Sequence, residues 1–166
     1  MSFEAWRYAA EEGRDPYALA DEAAAQAPSR AQWDCARGCA HCCHLKVEVT
    51  PFEAEALSRI ATPEITLRIR RNAAATRGLG AAAYRALRIP CAFLSDDGAC
   101  LAYDVRPLRC RAHVSTSEPS CAAVLRGEED RAPGDDWLAT AVQAIHAGLG
   151  GELTELHQAL AESSRP

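Results

Sequence analysis

The chain is poor in aromatic residues and has almost no lysine. Phe, Trp and Tyr make up 6% of its 166 residues, and Lys46 is the single lysine. Acidic residues outnumber Lys and Arg by 23 to 18, which gives a net charge of −5 at pH 7. Proteins that bind nucleic acid usually present a basic surface to the phosphates. We therefore expect no nucleic-acid partner.

Long apolar runs are also missing from the sequence. No window approaches the roughly 18 consecutive apolar residues of a membrane span, so we expect no membrane association. The segment from Met1 to Arg7 lacks the basic start and apolar core of a secretory signal. We therefore expect a cytoplasmic protein, in which thiols stay reduced and clustered thiols tend to bind metal.

Cysteine, by contrast, is abundant and clustered. Of the eight cysteines, four lie within positions 35–43, three lie within positions 91–110, and one follows at position 121. A secreted disulfide scaffold is the alternative, but a chain of this length does not need such staples. Short paired spacings present several thiolates to one metal centre. We predict that the metal ligands are Cys35, Cys39, Cys42, Cys43, Cys91, Cys100, Cys110 and Cys121.

The nature of the metal is less constrained by the sequence. All-thiolate coordination suits zinc and iron–sulfur clusters alike, and the spacings do not match the common ferredoxin patterns. His41, His44 and His113 stand beside cysteines and could complete a zinc site. Eight cysteines can form two four-thiolate sites, or one site with buried spare thiols. The predicted cofactor is an iron–sulfur cluster, of the 4Fe–4S type, or zinc.

Arginines gather around Cys110 in the sequence. Arg106 and Arg109 flank Pro107 just before this cysteine. Their guanidinium groups could balance thiolate charge through N–H···S bonds, or pair with Asp104. We predict that both arginines contact the cofactor, and we assign no catalytic residue.

The remaining sequence predicts mostly helices. Thr50-Pro51 and Glu53 form a capping box with proline at the first helical position. Leu45–Val49 alternates as a short strand would, and Asp97-Gly98 favours a hairpin turn between two cysteines. We predict a mainly α fold: a small helical domain with irregular cysteine-bearing metal-binding loops and at most a short hairpin. Residues 1–166 form one domain, with a metal-binding core at about 35–126 and helical N- and C-terminal extensions. His157, on the last predicted helix, is expected to matter little.

These motifs together resemble the YkgJ-type cysteine-cluster family, whose domain is described as zinc- or iron-chelating. The family pattern has a CxxCxxCC-like opening, a Thr-x-x-Glu segment, a C-x-F-L segment and a G-x-C-x-x-Y-x-x-R-P-x-x-C-R block. The corresponding residues are Cys35-x3-Cys39-x2-Cys42-Cys43, Thr50-Pro-Phe-Glu53, Cys91-Ala-Phe-Leu, the block from Gly98 to Arg111, and Cys121 as a later cysteine. Some relatives, such as flagellin lysine methylases, resemble the family in carrying such cysteines beside an iron–sulfur centre. The resemblance therefore implies an iron–sulfur site, but not methyl transfer, because the chain has no glycine-rich nucleotide loop.

Three functions are consistent with these observations. The first is a cytoplasmic metal-binding protein whose cysteines hold an iron–sulfur cluster or zinc. The second is a metal-dependent redox or group-transfer enzyme with a substrate pocket beside the cluster, although no HExxH, Ser/His/Asp or paired-carboxylate motif is present. The third is a zinc-braced protein-interaction module, whose protein partner the sequence does not identify.

Overall fold

Helices account for most of the secondary structure. The computed structural model describes residues 1–36 and 38–163. The helices in these residues are α1 (Phe3–Glu11), α2 (Pro16–Gln26), α3 (Pro51–Ile60), α4 (Pro63–Thr76), α5 (Ala81–Leu87), α6 (Leu108–Ala112), α7 (Glu118–Arg126), α8 (Asp136–Leu149) and α9 (Leu156–Ser163). Short 3₁₀ segments lie at Arg30–Gln32, His41–His44 and Tyr103–Val105. The predicted mainly α fold is confirmed. None of the described helices combines the length and the apolar character that crossing a membrane requires.

The helices begin where their capping residues predict. The side chains of Asp15, Thr50 and Thr62 each accept a hydrogen bond from a backbone N–H in the first turn of α2, α3 and α4. Each of these helices also has proline in its first turn, where the missing N–H costs nothing. The capping box of Thr50 and Glu53 is present in both directions.

Two apolar cores hold the helices together. The first core is formed by α1, α2 and α8 with one residue of α6, and includes Trp6, Leu19, Leu108, Leu138 and Ile145. The second core is formed by α3, α4 and α9, the loop at positions 92–102 and Val49, which lies just before α3. It includes Leu57, Ile69, Phe93 and Leu160. Because α6 packs on the first core and the 92–102 loop packs on the second, the cysteines on these two segments lie where the cores adjoin.

A two-stranded antiparallel sheet ties the middle of the chain to its C-terminal part. Strand β1 (Glu48–Val49) pairs with β2 (Thr154–Glu155), with Glu48 opposite Glu155. The N–H of Leu156 continues the pairing by donating to the carbonyl of Val47 at 2.9 Å. Helix α9 is thereby fixed next to the segment that follows the first cysteine cluster.

The expectation that His157 matters little is corrected by its position. The side chain is only 2% exposed. Its Nε2 accepts the N–H of Ala92 at 3.3 Å, and its Nδ1 lies 3.0 Å from a carboxylate oxygen of Glu155. Ala92 follows Cys91, so this histidine connects α9 to the loop between Cys91 and Cys100, which we call the second cysteine loop. Its partners are distant in sequence, which is why helical spacing alone did not reveal them.

Candidate metal centre

The two cysteine clusters are in contact through their backbones. Gly38 and Gly98 both have positive φ angles, of 90° and 80°. A Cβ atom on Gly98 would lie 2.9 Å from the carbonyl oxygen of Gly38, a distance that real Cβ atoms do not adopt. The turn between Cys91 and Cys100 therefore lies directly on the segment between Cys35 and Cys39, and glycine is what permits this approach.

The 3₁₀ segment His41–His44 lies between the second cysteine loop and α7. On one side, the N–H of Cys91 donates to the carbonyl of Cys43 at 2.8 Å. On the other side, the segment packs against α7, where the Nε2 of His41 bonds to the carboxylate of Glu118. Cys42 and Cys43 are thus held between two cysteine-bearing elements.

The predicted hairpin between Cys91 and Cys100 is reduced to a single bridge. Leu94 and Cys100 form an isolated antiparallel bridge, and the N–H of Leu101 donates to the carbonyl of Phe93 at 2.8 Å. The turn at Asp97-Gly98 closes this loop as the sequence predicts. The loop brings Cys91 and Cys100 to the same end of the structure.

Three cysteine sulfurs accept a hydrogen bond from a backbone N–H two residues further along the chain. In each case the bond lowers the pKa of the thiol against the larger, opposite effect of burial. Such N–H···S bonds stabilise thiolate, the form that binds metal. The three cysteines are Cys39, Cys91 and Cys100.

Four thiols form what we call the inner set: Cys42, Cys91, Cys100 and Cys110. Burial raises the pKa of Cys110 well above its usual value, and the charges of the other three thiols raise it further. Burial likewise raises the pKa of Cys91 to about 12, with contributions from Cys100 and Cys42. The charges of these thiols thus act on one another in the metal-free protein. A cation placed among them would reverse the balance and favour the thiolates.

Arg106 supplies positive charge to the inner set. Its guanidinium lies 4.4 Å from the centre of the Tyr103 ring. Its charge opposes, without outweighing, the effects that raise the pKa values of the thiols of Cys42, Cys100 and Cys110. The Nε of Arg106 is buried and has no hydrogen-bond partner among residues 1–36 and 38–163. A buried orphan donor beside several thiols fits a bound anionic metal–thiolate group, whose sulfur atoms would accept the N–H.

The other arginines near Cys110 have different partners. Arg109 is exposed and lies 3.6 Å from the carboxylate of Glu48. Arg111 is buried and donates to the carboxylate of Asp21 and to the backbone carbonyls of Asp104 and Arg106. Among the described residues, Arg106 forms no ion pair with Asp104, which was one of its two predicted roles. Of the two arginines predicted to contact the cofactor, Arg106 lies beside the thiols and Arg109 pairs at the surface.

Three further thiols form what we call the outer set: Cys35, Cys39 and Cys121. Burial raises the pKa values of Cys35 and Cys39, and the charges of Cys121 and Cys42 add to the effect. The sulfur of Cys35 also accepts the N–H of Ser115 at 3.3 Å. Cys42 is therefore the thiol that adjoins both sets.

All eight cysteines are free thiols in the structure. Within residues 1–36 and 38–163, no group of three or more His, Cys, Asp or Glu side chains is already arranged to hold a metal ion. Metal binding removes the thiol protons and adds bonds that draw the ligands together. The donor chemistry fits a metal centre, and the final ligand positions depend on the metal.

Glu53 is a residue of the site that the sequence did not reveal as such. Its side chain is fully buried. One carboxylate oxygen accepts the N–H of Leu108 at 2.6 Å, and the other lies 3.3 Å from Nε2 of His146. Burial acts to raise the pKa of Glu53, but its hydrogen bonds with His146, Thr50 and Leu108 outweigh burial and lower it. Glu53 thereby fixes the start of α6, the helix that carries Cys110.

Comparison with known protein families agrees with this arrangement. Residues 34–131 match the family described as "CxxCxxCC: Putative zinc- or iron-chelating domain". The chain belongs to the CxxCxxCC family. The matched region contains all eight cysteines, Glu53 and Arg106, so the family supports metal chelation by these segments. No match to the chain was found among curated proteins or among solved structures.

We expect Arg106→Ala to retain the metal but to weaken its binding by roughly 10–100-fold, because an outer partner of the ligands is lost. Competition with a chelator measures this change. The matched control is Arg109→Ala, which removes the same charge from a surface ion pair and should leave the affinity unchanged. Metal release from Arg106→Ala at the parental rate would show that the arginine is only structural.

Proposed function

We propose that this member of the CxxCxxCC family is a cytoplasmic metalloprotein in which Cys42, Cys91, Cys100 and Cys110 hold a 4Fe–4S cluster. The observation that carries the proposal is the contact between the two cysteine segments, in which the N–H of Cys91 donates to the carbonyl of Cys43 and Gly98 lies against Gly38. The ligands come from the 3₁₀ segment, the second cysteine loop and α6. Four cysteine thiolates are the usual ligand set of such a cluster.

The surroundings of the four thiols support this proposal. Cys91 and Cys100 accept backbone N–H bonds, and the unpartnered Nε of Arg106 offers a further donor. Hydrogen bonds to sulfur and nearby positive charge are the means by which proteins tune iron–sulfur centres. When bound, the cluster would supply one-electron redox chemistry or a structural cross-link between the segments.

The choice of iron over zinc follows from two considerations. The family description allows both metals, and four thiolates bind both. The motifs of the chain resemble a family of which some relatives carry such cysteines beside an iron–sulfur centre. We therefore propose iron for the cell, with zinc replacing it during handling in air.

Anaerobic purification followed by elemental analysis and an absorption spectrum tests the proposal. We expect brown protein with broad sulfur-to-iron absorption and with iron and acid-labile sulfide in equal amounts. Colourless anaerobic protein with stoichiometric zinc in the inner set would overturn the choice of iron. A fully folded protein without any metal in reducing buffer would overturn the metalloprotein function itself.

If the protein is an enzyme, a recess near the cysteines is a candidate substrate pocket. A recess of about 280 Å³ adjoins Ser95 and Asp96 of the second cysteine loop. Its one cationic side chain, Arg68, already bonds the carboxylate of Glu64 and the carbonyl of Leu94. No side chain of the inner set lines this recess. We therefore propose metal binding without assigning a reaction.

A further inference from the structure

We propose that two copies of this chain form a dimer in which the arginine-bearing outer face of α4 of each copy docks in an acidic groove between α3 and α9 of the other. This interaction goes beyond the proposed function and does not depend on which metal the cysteines hold. It involves a helix face and a groove that have no part in the cysteine site.

The charge of the chain is unevenly distributed along the sequence. Residues 65–95 contain six arginines and none of the 23 acidic residues of the chain. This segment covers most of α4, all of α5 and the start of the second cysteine loop. A basic segment in a chain whose net charge is −5 attracts acidic surfaces, including those of another copy.

The outer side of α4 combines positive charge with an exposed apolar side chain. Ile69 packs in the second core, and the 3.6-residue period of the helix places Leu67, Arg71 and Ala74 on the opposite side, with Arg70 at its edge. Leu67 is 70% exposed, more than any other large apolar side chain in the described part of the chain. We call Leu67, Arg70, Arg71 and Ala74 the basic face. An apolar anchor flanked by charges is typical of a helix that binds in a groove.

The groove between α3 and α9 has the complementary character. It has a volume of about 520 Å³ and lies beside the paired strands β1 and β2. The buried residues Val49 and Ala54 lie at its base, and Ala159 of α9 also lines it. No lysine or arginine is among the described residues that line it. Three carboxylates line it, from α3, from the segment before β2 and from α9: Glu55, Glu152 and Glu162.

The positions of the groove and the basic face allow both to be used at once. Helix α9 packs against α3 on one side and against α4 on the other. Packed helices lie about 8–10 Å apart, so the groove and α4 are separated by roughly the width of one helix. Two copies related by a two-fold axis can therefore make the contact twice, with each groove holding the α4 of the other copy. Such a reciprocal interface closes on itself and gives a dimer instead of a filament.

The chemistry of the two surfaces indicates how strong the interaction is. Arginine and carboxylate form paired hydrogen bonds of good geometry, and Leu67 would cover the apolar base of the groove. Glu55 already pairs with Arg59 of its own helix, but both side chains are exposed, and exchanging one exposed partner for another costs little. Because exposed ion pairs are individually weak and screened by salt, we expect a dimer that dissociates on dilution and in high salt.

The test is sedimentation equilibrium of the full-length chain, purified anaerobically with its metal and kept in reducing buffer. In about 0.01 M salt the mass should rise with concentration from 17.8 kDa toward twice that value, and in about 1 M salt it should return to that of the monomer. Arg71→Glu and Glu162→Arg each place like charges opposite one another. Each variant alone should therefore dimerise more weakly by roughly 10-fold or more.

An equimolar mixture of Arg71→Glu and Glu162→Arg should recover the dimer. In the mixed dimer one contact has the parental charges and the other has both charges reversed, so both contacts are attractive. The matched control is Arg7→Glu on α1, which reverses an exposed arginine outside both surfaces and should dimerise like the parent. Metal content should be the same in all of these proteins.

A parent chain that stays monomeric at every concentration in low salt would overturn the proposal. Dimers that survive in both variants, or a mixture that recovers nothing, would also overturn it. If the monomeric parent bound an oligoarginine peptide and Glu162→Arg did not, the occupant of the groove would be a basic segment of another protein, and self-association would be wrong. None of these outcomes bears on metal binding, which the metal content of the same samples measures separately.

Discussion

Replacing Cys110 by serine should release the inner metal and destabilise the domain by several kcal/mol. Cys110 lies on α6, which packs against α2 and α8 and faces the other three thiols of the inner set. The binding free energy of a structural metal is folding free energy, and the whole stability of a domain is only about 5–15 kcal/mol. Metal content and anaerobic urea denaturation of parent and variant measure the effect.

Cys43→Ser is the control for this variant. It makes the same chemical change at a cysteine outside the four proposed ligands, and it should retain the metal and most of the stability. Unchanged metal content in Cys110→Ser would show that the inner set is not the ligand set.

Replacing Glu53 by alanine should destabilise the domain by roughly 2–4 kcal/mol, because the buried N–H groups of Leu108 and Thr50 lose their acceptor. The carboxylate also links α3 to α8 through His146. Thermal or urea unfolding measures the loss. The matched control is Glu55→Ala on the same helix, which removes an exposed carboxylate paired with Arg59 and should cost at most about 1 kcal/mol.

The carboxylate of Glu53 makes the stability of the domain fall at low pH. The pKa of Glu53 is lower in the folded protein than its ordinary value of 4.5. Its stabilising effect is therefore complete above pH 4.5 and is lost as the pH falls through the lower, folded value. Glu53→Gln should lose less stability than the parent over this range. Glu155, whose pKa is also lowered, is common to both proteins and cancels in the difference. Parallel acid profiles would contradict the assignment.

Local features of the fold were predictable from the sequence because they depend on neighbouring residues. The caps at Asp15, Thr50 and Thr62 are formed by side chains within three residues of their donors. The buried face of α3 was harder to predict, since the large apolar residues Phe52 and Ile60 are 45% and 41% exposed. The buried face of this helix runs instead through Glu53, Ala54 and Leu57, and a buried glutamate cannot be recognised without its partners.

The candidate site was predictable as a cysteine cluster, but the sequence left open whether its thiols form one site or two. Short spacing identified the thiols, and the family match supports chelation. The neighbours Cys42 and Cys43 look equivalent in the sequence. They differ only through the bonds that the 3₁₀ segment makes to the second cysteine loop and to α7. These bonds, like that between Glu53 and Leu108, join residues tens of positions apart, and no local pattern encodes them.

The pairing of β1 with β2 has a consequence for biosynthesis. Residues 48–49 acquire their strand partner only when residues 154–155 are available, and Ala92 acquires the imidazole of His157 only then. A nascent chain can therefore display all eight cysteines to the solvent before the elements that fix their loops have left the ribosome. We therefore expect metal to be bound stably only after the final helix has been synthesised. Chains truncated before the final helix would carry reduced, unordered thiols that are open to oxidation and to capture of the wrong metal.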